Sequence, residues 1–152
     1  MKKLLKIFLW SVLALFIMAN IIAAIQAYNF THFTNNRVKK TKSTDKFTFS
    51  KKLKILFTGI ENPRPKDDTT PPQKFETIKL KSDKEIECWY IRYPARAAGT
   101  VIIFHGYGGD KAAMLNKGEV FYNLGYNTLL VDFMGSGGSE GNQTTVGYKE
   151  AE

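Results

Sequence analysis

Apolar and polar positions divide the chain into segments of different periodicity, and the first segment is a long apolar run. Residues 7–27 carry no charge and are interrupted only by Ser11, Asn20 and Gln26. At about 1.5 Å per residue, a helix of this length crosses the roughly 30 Å hydrocarbon core of a bilayer. We therefore predict a basic tail over residues 1–6 and a transmembrane helix over residues 7–28.

A cleavable signal peptide is the alternative for this segment, because a basic tail also precedes signal peptides. The apolar run is longer than the core of a typical signal peptide, which has roughly 7–15 residues. The residues before Ala27 also match the small-residue cleavage pattern poorly. These two features favour an anchor.

Residues 29–73 have a different character, which predicts a basic region between the membrane and the folded body. The part up to residue 46 is polar and basic and is expected to form a stalk. Apolar residues then recur at helical spacing among lysines, which predicts an amphipathic helix that lies on the membrane surface or packs on its own domain. Four prolines between Pro63 and Pro72 predict a loop or linker. The apolar positions of the helix are Phe49, Leu53, Leu56 and Phe57.

From residue 74 onward the pattern predicts a sheet. Residues 74–80 and 85–93 alternate between apolar and polar positions around a short polar turn, which is typical of a β-hairpin. Cys88 lies in the second of these strands and is interpreted as a buried structural thiol. Two short apolar runs, 100–104 and 128–131, predict strands that are buried on both faces of a parallel sheet.

A crossover helix is predicted between these two apolar strands, over residues 111–124. Gly125 provides the usual stop. A second crossover helix is expected to begin at residue 145 and to continue to residue 152. The apolar positions of the first helix include Ala112, Leu115, Val120 and Leu124.

Two glycine-containing loops follow the two apolar strands. We name them the His-Gly loop, residues 105–109 (HGYGG), and the glycine loop, residues 132–141 (DFMGSGGSEG). The carboxyl ends of neighbouring parallel strands meet at one edge of a sheet, and ligands bind there. We expect the two loops to face each other across one crevice.

Over residues 74–152 these motifs resemble the α/β-hydrolases, and especially their membrane-anchored lipase, esterase and peptidase-like members. The resemblance implies an α/β fold with a mostly parallel sheet and crossover helices, here preceded by one transmembrane helix. It also implies a nucleophilic serine on a strand-turn-helix elbow after the next strand, followed by an acid and a histidine. These residues are expected beyond Glu152, so the chain is interpreted as the amino-terminal part of a larger hydrolase domain.

The resemblance also assigns roles in the His-Gly loop. The backbone N–H of Tyr107 would donate to the oxyanion that forms during acyl transfer, and Gly106 would let the backbone approach the substrate. The alternative is a plain turn whose glycines adopt positive φ. His105 is interpreted as a loop-structuring residue, because the catalytic histidine of this family follows its nucleophile. His32 is interpreted as part of the stalk.

The segment 137–141 formally matches the G-x-S-x-G nucleophile motif. A nucleophile elbow needs a strand that runs straight into the serine and a helix that leaves it. The preceding strand is expected to end near Asp132, so Asp132 and Ser139 are interpreted as loop-structuring residues, with Ser139 as nucleophile kept as the weaker alternative. Many relatives carry arginine at the position of Met134 and histidine at Ser136.

No cofactor or metal is predicted. A dinucleotide loop at residues 135–137 would require glycine at Glu140, and no helix opens immediately after it. The sequence contains neither a P-loop nor a metal-ligand motif.

The formal net charge of +8 belongs to the membrane-proximal half of the chain. Residues 1–60 contain 11 Lys and Arg against one acidic residue, whereas residues 61–152 contain 11 against 13. A lipid surface is the expected counter-charge, and nucleic acid is not expected as a partner. The basic tail places the amino terminus inside and the hydrolase part outside the cytoplasm.

Together these features predict a membrane-anchored serine hydrolase that acts on a carboxylic ester, thioester or amide, with a small-molecule or lipid-like acyl substrate. The 152 residues alone are expected to be inactive because the triad is missing. The alternative is a non-catalytic remnant or a membrane-bound interaction module in which the glycine loops persist without catalysis.

Overall fold

The computed structural model describes residues 2–35, 47–81 and 83–149 and combines helices with one main sheet. A short 3-10 turn, Ala112–Met114, leads into the third helix. The helices and strands in chain order are α1 (Lys2–Thr31), β1 (Phe33–Thr34), α2 (Phe49–Thr58), β2 (Asn62–Pro63), β3 (Phe75–Lys81), β4 (Glu85–Ile91), β5 (Thr100–Phe104), α3 (Leu115–Asn123) and β6 (Asn127–Val131).

The main sheet has four strands in the order β3-β4-β6-β5. The predicted hairpin is confirmed, since β3 and β4 pair antiparallel. The predicted strand-helix-strand unit is also confirmed, since β5 and β6 pair in parallel and α3 lies between them in the chain. The prediction of a mostly parallel sheet is wrong for the described residues. Because β6 inserts between β5 and β4, it pairs antiparallel with β4, and one of the three pairings is parallel.

The core lies on the face of the sheet that α3 covers. Trp89, Leu130 and Ile103 occupy one row across three neighbouring strands, and all three are buried. Ala112 and Leu115 pack against this row, as the sequence predicts. Gly118 allows close packing, because a Cβ at this position would lie 3.2 Å from the Leu130 Cδ2.

Burial on both faces of β5 is a prediction that the structure contradicts. Ile102 and Phe104 point away from α3 and are 54% and 53% exposed. Val120 and Leu124, expected to pack in the core, are also exposed. The physical reason is that α3 covers one face of the sheet and no other described helix covers the opposite face.

Helix α1 extends beyond the predicted span at both ends and buries none of its residues. Among the described residues it is the helix that is long and apolar enough to cross a membrane. The same length and composition also fit a signal sequence near an amino terminus.

The segment after α1 differs from the expected stalk over its described part, residues 29–35. Phe33 is 4% exposed, and β1 pairs in parallel with β2. On its other side the same segment pairs with residues 142–144, where the Phe33 N–H donates to the Asn142 carbonyl and the Thr144 N–H donates to the Thr31 carbonyl. The end of α1 is therefore joined to the folded body by backbone hydrogen bonds. Residues 36–46 of the expected stalk lie outside the described residues.

The second crossover helix is wrong for residues 145–149, which form a turn. Val146 has φ of 55° and Gly147 has φ of 103°. A right-handed helix requires negative φ at every residue, so these two residues interrupt it. Residues 150–152 of the expected helix lie outside the described residues.

We expect Cys88 to resist alkylation until the chain unfolds. Its side chain is completely buried, and burial, aided by the charge of Asp132, raises the pKa of the thiol from 9.0 to about 11. At neutral pH this lowers the reactive thiolate fraction about a hundredfold. Iodoacetamide labelling of the native chain at pH 8, compared with labelling in guanidinium chloride, measures the difference.

The raised pKa of Cys88 also predicts how stability and labelling change with pH. Because the pKa is raised in the folded state, the neutral thiol contributes its full stability below pH 9 and loses it as the pH rises through 11. Labelling of the folded chain should therefore accelerate toward pH 11. Rapid labelling at pH 7 would show that β4 is not packed as described.

Candidate active site

The His-Gly loop and the glycine loop face each other across a crevice, as predicted from their positions after β5 and β6. The crevice contains a cavity of about 140 Å³. Phe33, in β1 just after α1, also lines this cavity, together with residues from the turn after residue 143. The lining residues are Phe33, His105, Gly106, Tyr107, Gly108, Phe133, Ser136, Thr144, Val146 and Gly147.

His105 joins the two loops and is 6% exposed. Its Nε2 accepts a hydrogen bond from the Phe133 N–H at 3.1 Å, and its Nδ1 donates to the Gly106 carbonyl at 2.8 Å. Both ring nitrogens are therefore engaged, which corresponds to the neutral tautomer with its hydrogen on Nδ1. In this arrangement the ring holds the loops in register and has no nitrogen available to accept a proton from a nucleophile.

Gly106 and Tyr107, predicted to form the oxyanion hole, both lie at the cavity. A Cβ added at Gly106 would meet no atom within 4 Å, and the φ of Gly106 lies outside the left-handed region. Neither packing nor backbone conformation therefore requires glycine there, whereas Gly108, with φ of 62°, does require it. The N–H of Tyr107 makes no hydrogen bond to another residue that the structure describes.

The side chain of Tyr107 connects the His-Gly loop to the end of α1. Its hydroxyl donates to the Phe30 carbonyl at 2.5 Å and accepts from the Asn62 Nδ2 at 3.1 Å. Its ring stacks on Phe30 with centroids 4.6 Å apart, and burial raises the pKa of the phenol. Sequence reasoning missed this contact, because no local pattern relates residues 77 positions apart.

Lys111 lies at the centre of a buried ion cluster, which we define as Lys111 with Asp67, Glu87 and Asp132. Its ammonium group is 2.5 Å from the Asp132 Oδ2, 2.5 Å from the Asp67 Oδ2 and 2.9 Å from the Glu87 Oε1. The side chain is fully buried and its Nζ lies 4.3 Å from the centre of the Trp89 ring. Sequence analysis placed Lys111 at the start of the crossover helix and missed this cluster.

The three carboxylates of the ion cluster are close enough to hold a metal ion, since one oxygen from each lies within 4.8 Å of the others. The Lys111 ammonium bonds to all three carboxylates, so a cation already lies between them. Burial favours the neutral amine, but the hydrogen bonds to Asp132, Asp67 and Glu87 outweigh it and raise the pKa of Lys111. The ammonium form is therefore stable in this cluster.

Asp67 is the carboxylate of the ion cluster whose burial is only partly compensated. Its Oδ1 is buried without a hydrogen-bond partner among the described residues. Burial raises the pKa of this carboxyl, and the hydrogen bond from Lys111 only partly opposes that effect. The ionised form of Asp67 therefore costs stability that the ionised form of a better-solvated carboxylate would not.

Asp132 connects the ion cluster to the glycine loop. Its Oδ1 accepts the Lys111 backbone N–H at 2.7 Å, and its Oδ2 accepts the Gly138 N–H at 2.9 Å. Ser139 completes the connection, because its hydroxyl donates to the Asp132 carbonyl at 2.9 Å and accepts the Glu87 N–H at 2.8 Å. Ser139 is 1% exposed, its hydroxyl is engaged as both donor and acceptor, and it is not among the residues that line the cavity.

The glycines of the glycine loop are required by contact with these carboxylates. A Cβ at Gly137 would lie 1.9 Å from the Asp132 Oδ2, and a Cβ at Gly138 would lie 2.1 Å from the Glu87 Oε1. Any side chain at either position would force the loop away from the ion cluster. The G-x-S-x-G match therefore arises from packing around Asp132, and the serine lies on neither a strand nor a helix.

Arg64 fixes the outer side of the glycine loop and was also missed by sequence analysis, which assigned its neighbourhood to a linker. Its guanidinium donates to the carbonyls of Gly141 at 2.8 Å, Ser139 at 2.5 Å and Gly137 at 3.3 Å. The Gly137 N–H in turn donates to the Pro65 carbonyl. Arg64 thus brings a guanidinium to this loop, in which Met134 occupies a position that is arginine in many α/β-hydrolases.

No known family model matches the sequence, and no curated protein matches it. Among solved structures, the chain is similar to the esterase Pf2001 of Pyrococcus furiosus in three crystal forms. In the first the identity is 26% and the TM-score 0.51, over 59% of this chain and 38% of the esterase. The second gives 26% and 0.49, over 58% and 35%, and the third gives 21% and 0.45, over 55% and 34%.

The first of these matches supports a hydrolase-like fold at a coarse level. The matched region spans 38% of the esterase, well under half of its length. The fold of the described residues is accordingly a mixed α/β sheet that carries two loops at the carboxyl ends of neighbouring strands, preceded by one long apolar helix.

We expect replacement of Lys111 by methionine to destabilise the fold by about 3–5 kcal/mol, because it leaves buried carboxylates without their cation. Lys79→Met is the matched control, since Lys79 pairs with Glu85 on the surface and both side chains are largely exposed. That variant should melt close to the native chain. Thermal unfolding in mild detergent, followed by near-ultraviolet circular dichroism, compares the two.

Asp67→Asn tests the same cluster, but here the free energy of unfolding should rise relative to that of the native chain as the pH increases. The raised pKa of Asp67 means that its contribution to stability is present below its ordinary pKa of 3.8 and is lost as the pH rises through the raised value. The free energy of unfolding of Asp67→Asn should therefore gain on that of the native chain between pH 4 and pH 7. A constant difference across this range would contradict the description of Asp67.

Proposed function

We propose that this chain is the amino-terminal part of a membrane-anchored serine hydrolase that cleaves a carboxylic ester, thioester or amide. In this proposal the nucleophile, the acid and the catalytic histidine belong to residues after Glu152. The described residues supply half of the oxyanion hole and one wall of the substrate cavity. The coarse similarity to the esterase supports the reaction class.

The reaction would pass through a serine acyl-enzyme. The histidine takes the proton of the serine hydroxyl as the serine oxygen attacks the carbonyl carbon, and negative charge forms on the carbonyl oxygen. The histidine then gives this proton to the alcohol, thiol or amine as the bond to the carbonyl carbon breaks. Water then hydrolyses the acyl-enzyme. The N–H of Tyr107 would donate to the charged oxygen in both steps, together with a second donor next to the nucleophile.

The observation that carries this proposal is the geometry at Gly106 and Tyr107. Glycine at 106 is explained by neither positive φ nor contact with the described residues, and the missing side chain leaves room for a ligand to approach. The next residue has a backbone N–H without an acceptor among the described residues, at the edge of a cavity. An oxyanion hole requires this combination of an open approach and an unused donor.

The proposed membrane location rests on α1. Strand β1, which directly follows this helix, contributes Phe33 to the cavity, and Phe30 in the last turn of the helix accepts the Tyr107 hydroxyl. If α1 spans the bilayer with its amino terminus inside, the cavity lies next to the outer membrane surface, where a lipid-like acyl substrate is abundant. The bilayer is the proposed partner, and nucleic acid has no place in the proposal.

One observation favours the alternative, a non-catalytic remnant. Both serines of the glycine loop, Ser136 and Ser139, are at most 2% exposed, and His105 has both ring nitrogens engaged. The described residues therefore contain no pair of nucleophile and base at the cavity. On this alternative the chain would bind at a membrane without catalysing a reaction.

A fluorophosphonate probe distinguishes these functions. Native membranes are treated with the probe, solubilised and denatured, and the protein is captured with an antibody against residues 111–124. We expect the captured protein to carry the probe and to have a mass well above 17.2 kDa, whereas the recombinant 152 residues alone should remain unlabelled.

The site of labelling adds a second criterion. A captured protein of 17.2 kDa without probe would refute the hydrolase proposal and support the remnant. Labelling of the recombinant 152 residues that is lost in Ser139→Ala would show that Ser139 is a nucleophile after all. Otherwise Ser139→Ala should only destabilise the fold, because it leaves a buried N–H and a buried carbonyl with one partner fewer.

Gly106→Ala tests the oxyanion hole in the labelled protein. Since a Cβ there meets no protein atom, the variant should melt at or above the temperature of the native protein. Its methyl group should nevertheless displace the substrate carbonyl, so the rate of probe labelling should fall on the order of a hundredfold.

Gly108→Ala is the matched control for this experiment. Its φ of 62° strains alanine, so this variant should lose stability. Equal labelling rates for Gly106→Ala and the native protein would remove the main support for the oxyanion assignment.

A further inference from the structure

Helix α2 has an apolar stripe that the folded body does not cover. None of its residues is buried, and Phe49, Leu53, Leu56 and Phe57 are 81%, 45%, 54% and 44% exposed. At 100° per residue these four side chains lie on one side of the helix. A domain helix would normally bury such a stripe, so the reading in which α2 packs its apolar face on its own domain lacks support among the described residues.

Three lysines surround this apolar stripe. Lys52 and Lys54 lie on either side of it and Lys51 lies opposite, by the same helical geometry. All three are exposed, and none forms an ion pair with a residue that the structure describes. The Lys51 Nζ lies 3.9 Å from the centre of the Phe47 ring, whereas the charges of Lys52 and Lys54 are available to an external partner of negative charge.

The last turn of α2 is fixed to α1 by side-chain hydrogen bonds. Gln26 Nε2 donates to the carbonyls of Ile55 at 3.0 Å and Leu56 at 2.8 Å, and Asn29 Nδ2 donates to the Thr58 carbonyl at 2.7 Å. The Leu56 and Thr58 carbonyls belong to the last turn of the helix, which offers them no partner of its own. The Ile55 carbonyl also accepts the Gly59 N–H at 2.8 Å.

Gly59 permits this close approach of the two helices. It has φ of 73°, and a Cβ at this position would lie 2.4 Å from the Asn29 Nδ2. The contact between α1 and α2 is therefore specific, and it places one end of α2 at a defined height along α1.

The contact between the two helices lies at the carboxyl-terminal end of the apolar run of α1. Gln26 is the last polar interruption of the run, and residues 7–26 of a helix extend about 30 Å, which matches the hydrocarbon thickness. When α1 spans a bilayer, the end of α2 is therefore held at the boundary between hydrocarbon and headgroups, on the side of the folded body.

We propose that α2 lies in the membrane interface, with its apolar stripe below the headgroups and Lys52 and Lys54 bound to the phosphates of anionic lipids. This proposal rests on the membrane-spanning role of α1 in the proposed function. It commits to a lipid surface because the apolar stripe, the flanking cations and the height on α1 all match that surface. The consequence for function is orientation: α1 and α2 together fix the tilt of the body, and with it the direction in which the cavity opens.

Site-directed spin labelling of the complete chain in vesicles tests the proposal. Single cysteines replace Leu53 on the apolar stripe, Lys51 on the opposite side and Leu15 in the middle of α1, while the buried Cys88 stays unlabelled. The vesicles contain phosphatidylcholine alone or a mixture with phosphatidylglycerol. Collision with oxygen reports lipid, and collision with a water-soluble nickel complex reports solvent.

In the mixed vesicles, the label at Leu53→Cys should lie about 5–10 Å below the headgroup level, and the label at Lys51→Cys should collide with nickel. Replacement of Lys52 and Lys54 by glutamine should make the label at position 53 shallower and abolish its dependence on phosphatidylglycerol. The same replacement at Lys79 and Lys81 on the hairpin is the matched control and should leave the depth unchanged.

Contrary outcomes separate this proposal from the one on which it rests. A label at position 15 in lipid with a label at position 53 in water would refute the interfacial helix and leave the anchor intact. A label at position 53 shielded from both oxygen and nickel would mean that protein covers the stripe and would also refute it. A label at position 15 in water would refute the anchor itself.

Discussion

The structure depends on the burial of a single lysine. Lys111 carries its charge into the interior, where its desolvation is balanced by three carboxylates from three separate segments. Asp67 comes from the proline-rich segment, Glu87 from β4 and Asp132 from the end of β6. A buried cation without compensating carboxylates is strongly destabilising, so the burial of Lys111 favours the assembly of the three segments around it.

This constraint propagates to the candidate active site. Asp132 is the carboxylate that also accepts the N–H of Gly138, and Ser139 holds its backbone carbonyl. The glycine loop therefore packs directly on the ion cluster. Phe133, the residue after Asp132, donates its backbone N–H to the ring of His105 in the facing loop. The position of the cavity wall is thus determined by charge compensation beneath it, while the cavity itself is lined mainly by backbone and aromatic groups.

A second constraint comes from the end of α1. The end of α1 continues as a strand between residues 62–63 and 142–144, so the long apolar helix is part of the folded body and is not attached by a loose tether. Tyr107 stacks on Phe30 and hydrogen-bonds to its carbonyl, which connects the same helix to the His-Gly loop. The cavity therefore has a defined position relative to α1, and any tilt of this helix is transmitted to the loops.

The sequence by itself determined most of the element types, because periodicity is a local property. The apolar helix, α2, the hairpin and the strand-helix-strand unit each follow from the pattern of residues within their own segments, and the two facing loops follow from the order of the strands. Only the tertiary structure decided which charges are buried and which glycines are structural. Lys111 and Asp67 are 44 residues apart, and Arg64 and Gly141 are 77 apart. No local pattern encodes such pairs, since their free energy arises from desolvation and hydrogen bonding between segments that meet only after the chain has folded.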